Sequence, residues 1–297
     1  MAGIDINILL NVVLGLIMFG LGLSLSPKDF RNLFDQPRAL GIGLFSQMVL
    51  LPGVAWLVAG WAPVSNELKV GIMILSVCPG GITSNLISYF VKGNVALAIS
   101  LTVCNAFLSL FTIPTLVNLF LEYFQQSGQN ISLPFWQTMF EIFIITILPA
   151  GLGVLFNYRL KGIAHKAEKY LNYVLPVLLI LVFSFKFLAG SDKGGTGMTA
   201  HEIWELAPWM IVLNALSMLL GFVAGTFFKL NFKNRITISV EVGLHNTALA
   251  LLIAGDKLGN HTMEKPALVY ALFSFFITFI VAWIMTRVHK GFVPVKD

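Results

Sequence analysis

Apolar runs of 20 to 31 residues follow one another along the chain, separated by short joints marked by proline, glycine or charge. A helix needs about 20 mostly apolar residues to cross the hydrocarbon layer, so each run is long enough. The pattern predicts nine spans, at 6–25, 37–61, 68–91, 94–124, 133–158, 167–190, 205–228, 234–255 and 265–287. Ser26-Pro27-Lys28-Asp29, Gln36-Pro37, Ala62-Pro63, Ser127-Gly128-Gln129-Asn130 and Gly194-Gly195-Thr196-Gly197 read as turns between them. The expected fold is an all-α integral membrane protein, one transmembrane unit over 1–297 with no room for a soluble catalytic domain.

Spans three and eight depart from the apolar pattern. The third carries Ser76-Val-Cys-Pro-Gly-Gly-Ile-Thr-Ser-Asn85 and the eighth carries Ser239-Val-Glu-Val-Gly-Leu-His-Asn246. Each opens on Ser-Val, meets a glycine four residues after the serine, and continues into a polar cluster. Each is also fourth in a five-helix unit if the first unit lacks its opening helix. The chain then divides into a repeat of four helices over 6–124 and one of five over 133–287. Five is an odd number, so the units have inverted topology and the two discontinuous helices run antiparallel as they cross. Such a pair in corresponding positions points to a transport site.

Composition agrees with this pattern and narrows the partners. Hydrophobic residues make up 57% and charged residues 11%, against roughly 25% charged in an ordinary soluble domain. The net charge of +5 comes from short basic clusters between apolar runs. A nucleic-acid surface would instead align them on one face, so no nucleic-acid partner is expected. Fourteen of the 19 Lys and Arg residues fall on alternate segments, starting with Lys28, Arg31 and Arg38. Positive charge marks cytoplasmic segments, which places the N-terminus outside and, after nine spans, the C-terminus in the cytoplasm. Lys69, Lys193, Lys257 and Lys265 lie on the outer side. Lys186 sits near the outer end of span six, where its long side chain can snorkel to the interface.

The expectation is a multi-pass plasma membrane protein, in the inner membrane if the source is bacterial, with lipid as its surroundings. Its oligomeric state is left open, a monomer sufficing. Cys78 and Cys104 lie inside apolar runs and form neither a disulfide framework nor a zinc spacing. The run from Ile6 to Leu25 lacks a basic leader and a small-residue cleavage site, and so reads as a span and not a removable signal.

The candidate chemistry lies in the two polar spans. Pro79, Gly80 and Gly81 remove a donor and side-chain cover in mid-membrane, where each unsatisfied backbone group costs several kcal/mol. A cation can take the freed carbonyls, and an anion can take the amides at a half-helix N-terminus; a plain packing kink is the alternative. Glu241 lies deep in an apolar helix, and no Lys or Arg is expected at its depth. Its partner is then a metal cation or a proton. Ser84, Asn85, Thr102 and Asn246 offer only oxygen, which suits a hard cation, and the single carboxylate suits a monovalent one. His245, four residues after Glu241, shares its face if the helix is unbroken. It reads as a proton site or as a neutral structural histidine. Gln47 in span two is a ligand candidate or interhelical glue. Glu141 and Glu205 sit near outer helix ends, where solvation accounts for them. No Walker loop, dinucleotide fingerprint, HExxH or GxSxG occurs. Neither an enzyme nor a bound cofactor is expected.

At these residues the sequence resembles the bile acid:sodium symporter family. The matching stretches are Cys78-Pro-Gly-Gly-Ile-Thr-Ser-Asn85, Gly93-Asn-Val-Ala-Leu97 leading to Thr102, and Glu241-Val-Gly-Leu-His-Asn246, with Gly20-Leu-Gly-Leu, Pro27-x-Asp29-Phe30, and Gln47 with Pro52. The resemblance implies a panel domain, a core domain and sodium-driven uptake of an organic anion by alternating access. It implies one sodium site at Ser84, Asn85, Thr102 and Glu241. A second would comprise Gln47, Glu241 and the backbone at Val242 and Leu244, with His245 where the family commonly has glutamine. The substrate would meet the half-helix ends at Ile82, Thr83, Gly243 and Asn246. Ala98, Ile82, and Ile277 with Thr278 depart from residues common in relatives. Sodium-coupled symport of a bile-acid-like, pantoate-like or other monocarboxylate is therefore the expected function. A proton-coupled or uncoupled carrier or channel of the same fold is the alternative.

Overall fold

In a computed structural model of the chain we describe residues 6–25, 35–124, 131–190 and 194–292. The turns expected at Ser26 to Asp29 and Ser127 to Asn130, the Pro27 to Phe30 stretch, and Lys28, Arg31, Lys193 and Lys296 of the charge tally lie outside them. Eight described helices are long and apolar enough to cross a membrane, or nine when one bent pair counts as a span. They are α1 (Ile6–Leu23), α2 (Pro37–Trp61), the pair α3 (Asn66–Val77) and α4 (Ile82–Phe90), α5 (Val95–Phe124), α6 (Phe135–Arg159), α7 (Lys161–Leu188), α8 (Ala200–Phe227), α9 (Phe232–Gly243) with α10 (Thr247–Leu251), and α11 (His261–Phe292). A π-helical turn, Leu252–Lys257, prolongs α10.

In hydrocarbon every backbone donor needs an internal partner, and the helix starts show how the sequence supplies one. Ser65 accepts from the Leu68 amide, and Asn231 from that of Asn234. Thr199 and Glu202 form a capping box, which sets the start of α8 at Ala200, five residues before the apolar run suggests.

The helices pack as two groups. In one, α1 lies against α6 and α7. The contact is close because a Cβ added at Gly22 would collide with the Ala150 carbonyl, and one at Gly153 with that of Phe19. In the other, α9 and α10 occupy the centre, surrounded by α2, α3, α5, α8 and α11. The most apolar stretch of Phe232–Lys257 is 89% buried, against 17% for α6 and 18% for α7, so the polar eighth span is the least exposed to lipid. Polar links join the groups near the turn between α10 and α11: Asn11 to Asp256 (3.3 Å), Lys257 to Glu141 (2.8 Å) and Lys186 to Glu264 (2.7 Å). At the opposite end, Ser24 with Glu168, Asn157 with the Leu25 carbonyl, and Arg38 with the Phe228 carbonyl each stay within one group.

Lys186 corrects the sequence reading. It does not snorkel: its side chain is fully buried, and Nζ donates to Glu264 Oε1 at 2.7 Å and to Asn7 Oδ1 at 2.9 Å. The turn at 194–197 folds over the end of α7, with the Thr196 amide and hydroxyl both donating to the Lys186 carbonyl, so the route to the interface is covered. Gly255 leaves space for the partner, since a Cβ there would collide with the Glu264 carboxylate.

Candidate transport site at the crossing of two broken helices

The two polar spans cross where each loses its helical backbone. Between α3 and α4 the chain is non-helical over residues 78–81, and the two helices are bent by 61°. Pro79 has no amide to continue α3. Between α9 and α10, Leu244 is extended (φ −123°, ψ 124°) and Asn246 caps the resumed helix, its Oδ1 accepting from the Leu249 amide at 3.0 Å. The breaks are joined directly, the Asn246 amide donating to the Pro79 carbonyl at 2.8 Å.

Glu241, in the last turn of α9, is fully buried beside this junction. Its Oε1 accepts from Ser84 Oγ at 2.9 Å and from Thr102 Oγ1 at 3.0 Å. Ser84 Oγ also lies 2.7 Å from the Gly81 carbonyl, and Thr102 Oγ1 lies 3.3 Å from Asn85 Oδ1. Each hydroxyl has a single proton, so each is shared between two oxygens. The other carboxylate oxygen, Oε2, has no hydrogen-bond partner. It faces Gly80, and a Cβ there would collide with it, so glycine both weakens the helix and admits the carboxylate. Four residues expected at a cation site, Ser84, Asn85, Thr102 and Glu241, are thus brought together. They present oxygen only and a single negative charge. Among the described residues no group of three or more His, Cys, Asp or Glu could hold a metal, and a transition-metal reading has no support in this donor set.

Gln47 lies in a π-helical turn of α2, Ser46–Leu50, ahead of Pro52. Its Oε1 accepts from Asn105 Nδ2, while its own Nε2 and Asn105 Oδ1 have no partner. With Cys78 and Pro79 they border a void of about 10 Å³, the space of about one water. Asn105 was not singled out in the sequence. Its position three residues after Thr102, on the same helical face, was the available signal. Asn214 and Tyr270 were also missed: Asn214 Nδ2 donates to the Gly243 carbonyl at 2.7 Å, Tyr270 donates to the same oxygen, and Thr278 Oγ1 lies 3.0 Å from Asn214 Nδ2. The freed carbonyl of Gly243 is thereby satisfied by protein. Val242 and Leu244 are buried on either side of it.

His245 is turned away from this cluster. Because α9 stops at Gly243, the four-residue spacing from Glu241 no longer puts the two side chains on one face, and no hydrogen bond or ion pair joins them. The imidazole is 6% exposed, lies 5.3 Å from the Tyr270 ring, and has no partner at either nitrogen. It lines a cavity of about 480 Å³ together with Thr83 and Thr247 from the two breaks and a mainly apolar wall from α7 and α11. Ile82 opens α4 beside Thr83.

The sequence model of the sodium bile acid symporter family matches residues 11–193. The chain belongs to that family. Among curated proteins, a Bacillus subtilis protein named as an uncharacterized sodium-dependent transporter, YocS, is 29% identical over 89% of this chain and 78% of its own length. The rice probable sodium/metabolite cotransporter BASS2 is 27% identical over 88% of this chain and 60% of its own, so the chain spans under two thirds of that protein. The human ileal sodium/bile acid cotransporter is 24% identical over 84% and 69%. The named members of the family are transporters and not enzymes. Two family departures are now placed: Ala98 is buried in α5, and Thr278 bonds to Asn214 behind the break in span eight.

Proposed function

We propose that this chain is a sodium-coupled symporter that carries an organic anion across the membrane by alternating access. The observation that carries the reading is Glu241: a fully buried carboxylate whose charge meets two hydroxyls and no basic group, with one oxygen unpartnered. Leaving such a charge uncompensated in the membrane is expensive, and a monovalent cation among these oxygens removes the cost. Sodium then sits with Ser84, Asn85, Thr102 and Glu241. A second ion uses Gln47, Glu241 and the backbone at Val242 and Leu244. The anion lies in the cavity reached by Thr83, beside the start of α4, whose first amides have no helical partner.

The two packed groups support alternating access. The α1, α6 and α7 group is tied to the other by polar links at one end and not by the three bonds at the other, which suits a rocking motion about the crossing point. We further propose that the units over 6–124 and 133–287 are inverted repeats, and that the lysine- and arginine-rich ends face the cytoplasm.

Accumulation of an organic anion against its gradient in proteoliposomes, driven by an inward sodium gradient, tests the reading and separates it from a channel, which cannot sustain accumulation. Glu241→Gln is expected to abolish the sodium-driven component while the protein remains folded. Unchanged uptake in that variant would sink the proposal.

A further inference from the structure

The two nitrogens of His245 are polar atoms of this site that the transport reading leaves without work. Both are buried and unpartnered, and a buried donor left unmade is costly. The backbone break sets the ring on the cavity side: α9 ends at Gly243, Leu244 is extended, and the carboxylate of Glu241 is engaged by Ser84 and Thr102 on the other side. Tyr270 holds the imidazole from behind, its ring centroid 5.3 Å away, and its hydroxyl is committed to the Gly243 carbonyl. It therefore cannot turn to satisfy the ring.

The cavity has a polar side and an apolar one. Thr83, His245 and Thr247 come from the broken spans, while α7 and α11 supply a mainly apolar wall that includes Phe183, Leu268 and Phe275 and two hydroxyls, Ser184 and Ser274. No Lys or Arg is among its lining residues. An anion held here is therefore recognised by hydrogen-bond donors, four of them hydroxyls and one the ring N–H of His245, the only side-chain nitrogen among the lining residues.

We propose that His245 is a substrate-binding residue that donates to the head of an amphipathic monocarboxylate whose apolar body lies against Phe183, Leu268 and Phe275, and that it is not a sodium ligand. The assignment rests on the symport reading above and sharpens it: the anion is distinguished from its uncharged derivatives at His245, and the cation at Glu241. A carboxylate accepts the N–H, whereas an ester offers a weaker acceptor and the same apolar body.

The test uses the full-length protein in detergent, with cholate and 2-hydroxy-3-methylbutanoate as probes, each beside its methyl ester, in sodium and in potassium chloride. Wild type is expected to bind at least one acid in a sodium-dependent manner and more tightly than its ester. His245→Leu should lose about ten- to a hundred-fold in affinity for the acid, leave ester binding unchanged, and keep the thermal shift that sodium alone produces. His245→Gln, which retains an N–H donor of similar reach, should recover most of the loss, and the shorter His245→Asn should not. If the Leu variant fails to fold, the Gln and Asn pair decides by the same contrast. Equal acid affinity in wild type and the Leu or Asn variant overturns the assignment. So does a collapse of the sodium shift in those variants, which marks His245 as a cation ligand. A sodium shift in wild type without binding of either acid overturns the substrate class. Absence of both the sodium shift and acid binding in wild type removes the symport reading itself.

Discussion

Glu241 and Glu264 are both fully buried carboxylates on membrane helices, and the protein treats them in opposite ways. Glu264 meets Lys186 at 2.7 Å through one oxygen and His261 at 3.0 Å through the other, and Gly255 clears the space it needs. Glu241 meets two hydroxyls through one oxygen and nothing through the other. A buried charge neutralised by the protein's own lysine is complete in itself, and here it fastens α7 to α11. A buried charge given oxygen neighbours and no counter-charge is complete only with a cation or a proton. The contrast teaches that depth alone does not mark a carboxylate as functional; the identity of its partners does.

Breaking the closed pair should give the largest stability effect. Lys186→Met leaves Glu264 buried without its counter-charge, and removing one member of such a pair costs about 3–5 kcal/mol. That loss is expected in thermal or denaturant unfolding with or without sodium. The double variant Lys186→Met with Glu264→Leu should recover most of it, because an apolar pair needs no compensation. A neutral Lys186→Met would erase the distinction between the two carboxylates.

At the open carboxylate, the expected effect depends on the ion. Glu241→Gln should unfold normally in potassium and lose the stabilisation by sodium, which for a ligand at a hundred times its dissociation constant is about 2.7 kcal/mol. Melting curves across a sodium titration measure it. A smaller change is expected at Thr102→Val, which keeps the shape and removes one oxygen. Sodium affinity should fall about ten-fold, or about 1.4 kcal/mol, with maximal uptake preserved at high sodium. An unchanged sodium midpoint would remove Thr102 from the ion site. Smallest of all, Ser24→Ala removes an exposed bond to Glu168 within the α1, α6 and α7 group and should shift stability by no more than about 0.5 kcal/mol. A larger loss there would mean that this end of the molecule is tied more tightly than its bonds suggest.

The all-helical fold and the two breaks that frame the candidate site were legible because both depend on local rules. Nine apolar runs mark spans whatever their neighbours, and Pro79, Gly80 and Gly81 interrupt a helix in any packing. The third span behaved as that composition requires, with a 61° bend. The eighth, with a single glycine at its break, is interrupted over Leu244 to Asn246 yet stays within a single run from Phe232 to Lys257. What was not legible depends on residues far apart in the chain. Asn105 facing Gln47, and Asn214 with Tyr270 on the Gly243 carbonyl, are pairings between helices that no spacing rule connects. For His245 the reason is local as well: the i, i+4 relation to Glu241 held only for an unbroken helix, and α9 ends at Gly243.

The sequence by itself determined that the chain spans a membrane many times and that two of its spans are broken among hydroxyls, amides and one carboxylate. Hydrocarbon makes both conclusions hard to escape, since it tolerates neither a short helix nor an idle polar group. Only the tertiary structure decided which buried charges are satisfied. It closed Glu264 with Lys186, a residue that hydropathy alone places at the interface, and left Glu241 open. Burial falls on a residue through its helix, whereas compensation depends on which other helix it meets.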